Sequence, residues 1–163
     1  MKTVWAAALA VFLFSGFLTG VRADAFLEAY SKEAVTVVKE LLGAPLLTGG
    51  TDPSQGFDQS GFVLFVYESK LKIPIVNFTG GRPTVKTLVS TGKEVEEGDA
   101  LAGDLVFFHS EEKVGSANMV GIYLGNNHFA YVSSSKRAVV ESPLGPYFRK
   151  RLLCFRRYIT LNA

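Results

Sequence analysis

The chain of 163 residues has one cysteine, two histidines and no excess of either charge over its greater part. Cys154 has no partner for an internal disulfide, so any stability must come from a core. His109 and His128, without a Cys or carboxylate cluster at ligand spacing, make a poor zinc site, and no metal or cofactor is expected. The only long apolar run is Val4 to Leu18, which is shorter than the ~20 residues of a membrane span. Preceded by Lys2 and followed by small residues at Ala23 and Ala25, it reads as a signal peptide over 1–23. An uncleaved anchor helix is the competing reading; Gly16, Gly20 and Arg22 interrupt the run early and weigh against it. No cysteine follows the run, which argues against a lipoprotein anchor.

Without residues 1–23 the basic and acidic residues balance, so nucleic acid is not an expected partner. Residues 24–163 are enough for one domain with one core. No internal repeat or low-complexity segment is present. The reading is a single exported domain, periplasmic or extracellular, with no stable membrane span after signal cleavage.

Apolar residues recur at helical spacing over 24–42, with Gly43 as a stop. A turn-rich stretch, "GAPLLTGGTDPSQG", leads to Asp58, a good helix N-cap, and a helix is expected from there to about Lys70. Residues 71–103, broken by Pro74, Gly80-Gly81 and Pro83, exclude a long element; "EVEEGDALAGD" reads as an exposed connection. Strands are expected at Leu105 to Phe108, Met119 to Leu124, Phe129 to Ser133, Ala138 to Glu141 and Leu152 to Ile159, with "GNN" as a hairpin turn. Helices first and strands later give an α+β domain, N-terminal helices packed on an antiparallel sheet.

The helix start is "GFDQSGFVLFVYE". In chain order there follow "GDLVFFHS", "NMVGIYLGNNHFAYVSSS" and "VVESPLGPYFRKRLLCFRRY". Together these resemble the NlpC-type cell-wall peptidases, papain-like cysteine endopeptidases that cut peptidoglycan stem peptides. The resemblance covers residues about 43–158. It implies a papain-like fold and a cleft at the helix start. In that family the helix-start motif is D-C-S-G, and the Cys is the nucleophile; here the position is Gln59. The family's base, a His before V-G-I-Y, is Met119 here. The orienting residue after the hairpin, usually a His, is Tyr131. Upstream, Leu46 and Thr48 replace a Tyr and a Trp of the family pattern. Scaffold positions Asp58, Ser60, Gly61, Gly121 and Gly125 are retained.

A cysteine protease needs a thiol, a base within hydrogen-bond reach and a group that orients the base. Gln59, Met119 and Tyr131 can fill none of these roles. The resemblance therefore implies a pseudoenzyme. Its old cleft, around Gln59, Met119, Tyr131, Leu46, Asp58 and Ser60, would bind peptidoglycan stem peptide or an envelope protein. The alternative is a cell-wall peptidase or amidase with an unrecognised nucleophile, Cys154 or Ser60. Ser60 lies about 100° round the helix from position 59 and should not share its cleft. Cys154 reads as a small buried hydrophobe. His109 reads as an exposed loop residue. The basic run Arg149, Lys150, Arg151, Arg156 and Arg157 reads as the charged rim of an edge strand, or as a phosphate patch. Leu46, Met119, Tyr131 and the Ile73 to Val76 segment suggest a cleft turned apolar, either repurposed or filled in.

Overall fold

The computed structural model describes residues 24–75 and 81–158. The signal-peptide assignment, Val76 and Ile159 lie outside the described residues.

The first helix, α1, spans 24–40. Its apolar stripe buries Tyr30, Ala34, Val37 and Val38. Leu41 and Leu42, expected inside the helix, belong to the turn that closes at Gly43, whose φ of +87° favours glycine. The Gly43 amide donates to the Val139 carbonyl at 2.9 Å, and the Val139 amide to the Ala44 carbonyl at 2.8 Å, so the chain leaves α1 alongside a strand. A small hairpin, β1 (Thr51–Asp52) with β2 (Gly56–Phe57), then delivers Asp58.

Asp58 caps α2 (Gln59–Leu64), its Oδ1 accepting from the Gly61 amide at 2.8 Å. The helix widens to π geometry over Phe65–Lys70, and the Leu71 amide reaches back to the Val66 carbonyl at 2.9 Å. Periodicity carried the extent of this helix but not the change of pitch. Phe62, Val63, Val66 and Tyr67 are buried on the sheet.

The region expected to lack long elements contains short ones. They are α3 (Val85–Val89), β3 (Lys93–Val95) and a single 3₁₀ turn at Glu97–Asp99. The remaining elements are β4 (Leu105–Ser110), β5 (Lys113–Gly125), β6 (His128–Ser133), β7 (Ala138–Pro143), α4 (Pro146–Arg149) and β8 (Leu152–Arg157). The sheet is antiparallel throughout, in the order β3-β8-β4-β5-β6-β7. Asn126 and Asn127, with φ of +50° and +59°, make the tight β5–β6 turn that the motif announced. The α+β papain-like class is as expected.

Two corrections follow from the strand order. The last strand is interior, between β3 and β4, not an edge. Four of the five residues of the basic run, all but Lys150, are held in ion pairs rather than left as a phosphate patch. Arg149 pairs with Glu97, Arg151 with Glu111, Arg156 with Glu94 and Arg157 with Asp104. A bifacial core follows from strand alternation. Leu105, Phe107, Val120, Ile122, Ala130 and Val132 face the helices. Val106, Phe108, Phe129 and Phe155 form a second cluster on the far face.

Candidate active-site cleft

The cleft arises where two strands part. Strand β5 pairs with β6 only from Gly121, opposite Tyr131, to Gly125. Its earlier half, from Lys113, pairs with β4 alone, while β6 continues beside β7 as far as Ser133. Backbone amides at the parting lose their sheet partner and need another. Gln59 supplies it: its Oε1 accepts from the Val120 amide at 3.1 Å. Since that atom must be the carbonyl, the Nε2 amide keeps two donors, which make no hydrogen bond among the described residues.

Gln59, Met119 and Tyr131 line one cavity of about 570 Å³. Tyr131 stacks on Phe129, centroids 5.2 Å apart at 24°, and meets Phe148 edge-on at 5.6 Å. Gly121 makes this possible. A Cβ there would lie 2.7 Å from the Ala130 carbonyl oxygen and 2.8 Å from the Phe129 ring. The wall continues through Phe148 and Tyr147 of α4. Glu111 and Glu112 of the β4–β5 turn also line the cleft, Glu111 paired with Arg151. The cleft has an aromatic wall and polar lining groups, and is neither plugged nor wholly apolar.

The remaining site residues divide. Asp58 and Ser60 line a shallower depression on the other side of Gln59, with Thr84 and Asn118. Ser60 is buried; its hydroxyl donates to Asp58 Oδ1 at 3.2 Å and accepts from Arg82 at 3.2 Å. Burial alone would raise the Asp58 carboxyl. The Arg82 guanidinium, the Gly61 amide and Ser60 outweigh burial and hold it below the ordinary aspartate range. Leu46 does not line the cleft: it packs on the helix-side core, and its amide donates to the Arg137 carbonyl at 2.9 Å. Ile73 and Ile75 also belong to that core. Placing these three in the cleft from sequence failed because apolar residues near a site more often fill the core beneath it.

His109 needs the opposite correction. It lies within β4, one residue before the strand's end, rather than in a loop; it is half-buried and lines the cleft. Its Nδ1 donates to the Ser110 carbonyl at 2.9 Å. Sequence reasoning also missed Tyr147, Phe148 and Arg151. The signal was Pro146, a residue suited to the first position of a helix.

Cys154 lies elsewhere, in a depression with Lys86, Ser90, Glu94 and Arg156. Burial pushes its thiol above the usual range, which suppresses the thiolate. No group of metal-ligating side chains occurs among the described residues. No helix among them is long and apolar enough to cross a membrane.

The model of the NlpC/P60 family matches residues 43–157. This chain belongs to the NlpC/P60 family. Among curated members it is similar to the murein DD-endopeptidase MepH of Escherichia coli, 28% identical over 87% of this chain and 52% of that one. It is also similar to the gamma-DL-glutamyl hydrolase of Bacillus subtilis, 29% identical over 78% of this chain and 30% of the relative. The chain thus spans about a third to a half of the length of these relatives. Among solved structures, an NlpC/P60 family protein from Bacillus cereus superposes with a TM-score of 0.69 at 27% identity, over 80% of this chain and 40% of that one. The NlpC/P60 domain of the peptidoglycan hydrolase SagA gives 0.62 at 27%, over 78% and 97%. NlpC/P60 relatives include peptidoglycan endopeptidases.

Proposed function

We propose that this NlpC/P60 domain is exported and catalytically silent, and that it binds peptidoglycan peptide or an envelope protein in the cleft around Gln59. The observation that carries the reading is the state of Gln59. The residue at the helix start of the D-x-S-G motif is an amide, engaged with the Val120 backbone instead of presenting a nucleophile. Met119 and Tyr131, at the positions where the motif resemblance expects the base and its orienter, share the cleft and hold no proton-accepting nitrogen. The cavity stays open, which favours a binding role over a filled, drifted site.

The hydrolase alternative lacks support from its named nucleophiles. Cys154 lies in a separate depression with a suppressed thiolate, and Ser60 is tied to Asp58 and Arg82. His109 also lines the cleft, but no nucleophile stands beside it there, and acyl transfer needs both.

Muropeptide digestion followed by chromatography tests the proposal. Wild type and Gln59→Cys should release no product. A Cys at 59 would still lack the base and its orienter at positions 119 and 131, and acid–base assistance is worth roughly 10²–10⁴-fold. The triple variant Gln59→Cys, Met119→His, Tyr131→His should show cleavage if the cleft still accepts peptide. Robust cleavage by wild type overturns the proposal.

A further inference from the structure

One member of the basic run is unlike its neighbours. Arg149, Arg151 and Arg157 each donate at least two hydrogen bonds. Arg156 makes none among the described residues, although its side chain is only 21% exposed. Its one ion-pair contact there is Nη2 to Glu94 Oε2 at 3.1 Å, and its Nε is buried with no acceptor. A guanidinium carries five N–H donors, and withdrawing them from water without replacement costs free energy. The donors of Arg156 call for an acceptor that the described residues do not supply.

Arg156 borders a cavity of about 490 Å³ that shares no lining residue with the cleft. Lys86 of α3 reaches it, is exposed and forms no ion pair among the described residues. Strand β5 opens its far side. The register against β4 jumps from Ala117 opposite His109 to Lys113 opposite Ser110, so the residues between bulge outwards and Ser116 joins the lining. Ser116 is half-buried, and its hydroxyl makes no hydrogen bond among the described residues. The Ser90 hydroxyl is committed to the Lys86 carbonyl at 2.9 Å. Lys86 and Arg156 outweigh Glu94 by one positive charge, which selects an anion.

The shape of the anion follows from what Glu94 fails to do. It is already a carboxylate in this place, and it leaves Arg156 Nε, Lys86 and Ser116 unbonded. A carboxylate presents two oxygens in one plane, whereas the unused donors stand on β8, α3 and β5. Oxygens diverging from a tetrahedral centre reach donors on several sides, and a phosphate group has that form.

We propose that this cavity is a phosphate-binding site, in which Arg156, Lys86 and Ser116 hold the oxygens of an esterified phosphate. The cavity far exceeds the volume of a bare phosphate ion, which leaves room for the ester. The site is independent of the reading proposed for the cleft.

The test is an NMR titration of the full chain that follows the backbone amides and the Arg156 Nε–H. The probes are inorganic phosphate, glycerol 3-phosphate as a monoester and glycerophosphoglycerol as a diester, with acetate at matched ionic strength as the planar control. Both esters should give saturable shifts at Arg156, Lys86 and Ser116 and none at Gln59 or Tyr131, and acetate should give none. Tighter binding of the monoester supports the site and identifies a small phosphorylated molecule as its ligand. Tighter binding of the diester supports it and identifies a phosphodiester polymer. Lys86→Gln and Arg156→Gln should each weaken the ester by roughly tenfold, the scale of a lost charge-assisted hydrogen bond. Arg156→Gln also deprives Glu94 of its partner, so the exposed Lys86→Gln, with an unchanged melting temperature, is the variant that decides. Binding of inorganic phosphate without either ester marks an adventitious ion only and overturns the proposal. Equal shifts with acetate, shifts that do not saturate, or ester affinity unaltered by Lys86→Gln overturn it as well.

Discussion

Two Asp–Arg pairs anchor this domain, and they differ in what surrounds them. Asp104 and Arg157 are sequestered. Asp104 is 2% exposed, Arg157 bonds it through Nε at 2.8 Å and Nη2 at 2.7 Å, and the Leu101 amide adds a third bond at 2.8 Å. The pair joins the start of β4 to the end of β8, and nothing of it borders the cleft. Asp58 and Arg82 are about a third exposed and lie beside Gln59. Both aspartates come from the motifs that signalled the family. The first closes the sheet and the second shapes a helix start. Neither role requires chemistry at position 59, so both motifs can persist when the reactive positions read Gln, Met and Tyr.

The contrast breaks most sharply at Asp104. Asp104→Ala leaves the part-buried Arg157 without its counter-charge and the Leu101 amide without its acceptor, and should cost about 3 kcal/mol, read as a lower urea midpoint at constant slope. A loss near 1 kcal/mol would mean that the Asp104 pair is no more than a surface contact. Asp58→Ala removes an N-cap and a part-exposed pair and should cost only about 1–2 kcal/mol. Equal losses at the two positions would dissolve the distinction drawn here.

The smallest effect is on pH. The folded-state pKa of Asp58 is depressed, so its contribution is present above the ordinary aspartate pKa and is lost as pH falls through the folded value. Stability of wild type should therefore fall in acid more steeply than that of Asp58→Asn, as measured by urea midpoints from pH 6 downwards. Parallel acid curves would show that Arg82 does not stabilise the Asp58 carboxylate.

How much of this was legible in the sequence depends on whether the feature was local. Asp58 as an N-cap, the Asn126-Asn127 turn and the amphipathic stripe of α1 announce themselves through residues a few positions apart. The convergence of Gln59, Met119 and Tyr131 came from the order of motifs in a known fold, not from periodicity. Long-range pairings were hidden. Nothing local says that Arg157 reaches back to Asp104, so the basic run looked like a free rim. Short elements such as α3 and β3 escaped because three to five residues are too few to show a period. Leu46 and His109 were misplaced for one reason: hydropathy reports preference for burial, not which cavity a side chain borders.

The position of β8 has a consequence for how the molecule is made. Residues 152–157 sit between β3 and β4, so the sheet interior is filled by a segment that leaves the ribosome about sixty residues after β3. Until then β3 has no neighbour, and one side of β4 offers unpaired amides and carbonyls. Closure must wait for contacts of long sequence separation, which slows folding. A chain stopped before residue 152 could pair β4 through β7 but would leave β3 without its partner. Its exposed β4 edge would invite pairing with other chains, so newly made protein is vulnerable to aggregation for as long as that strand is missing.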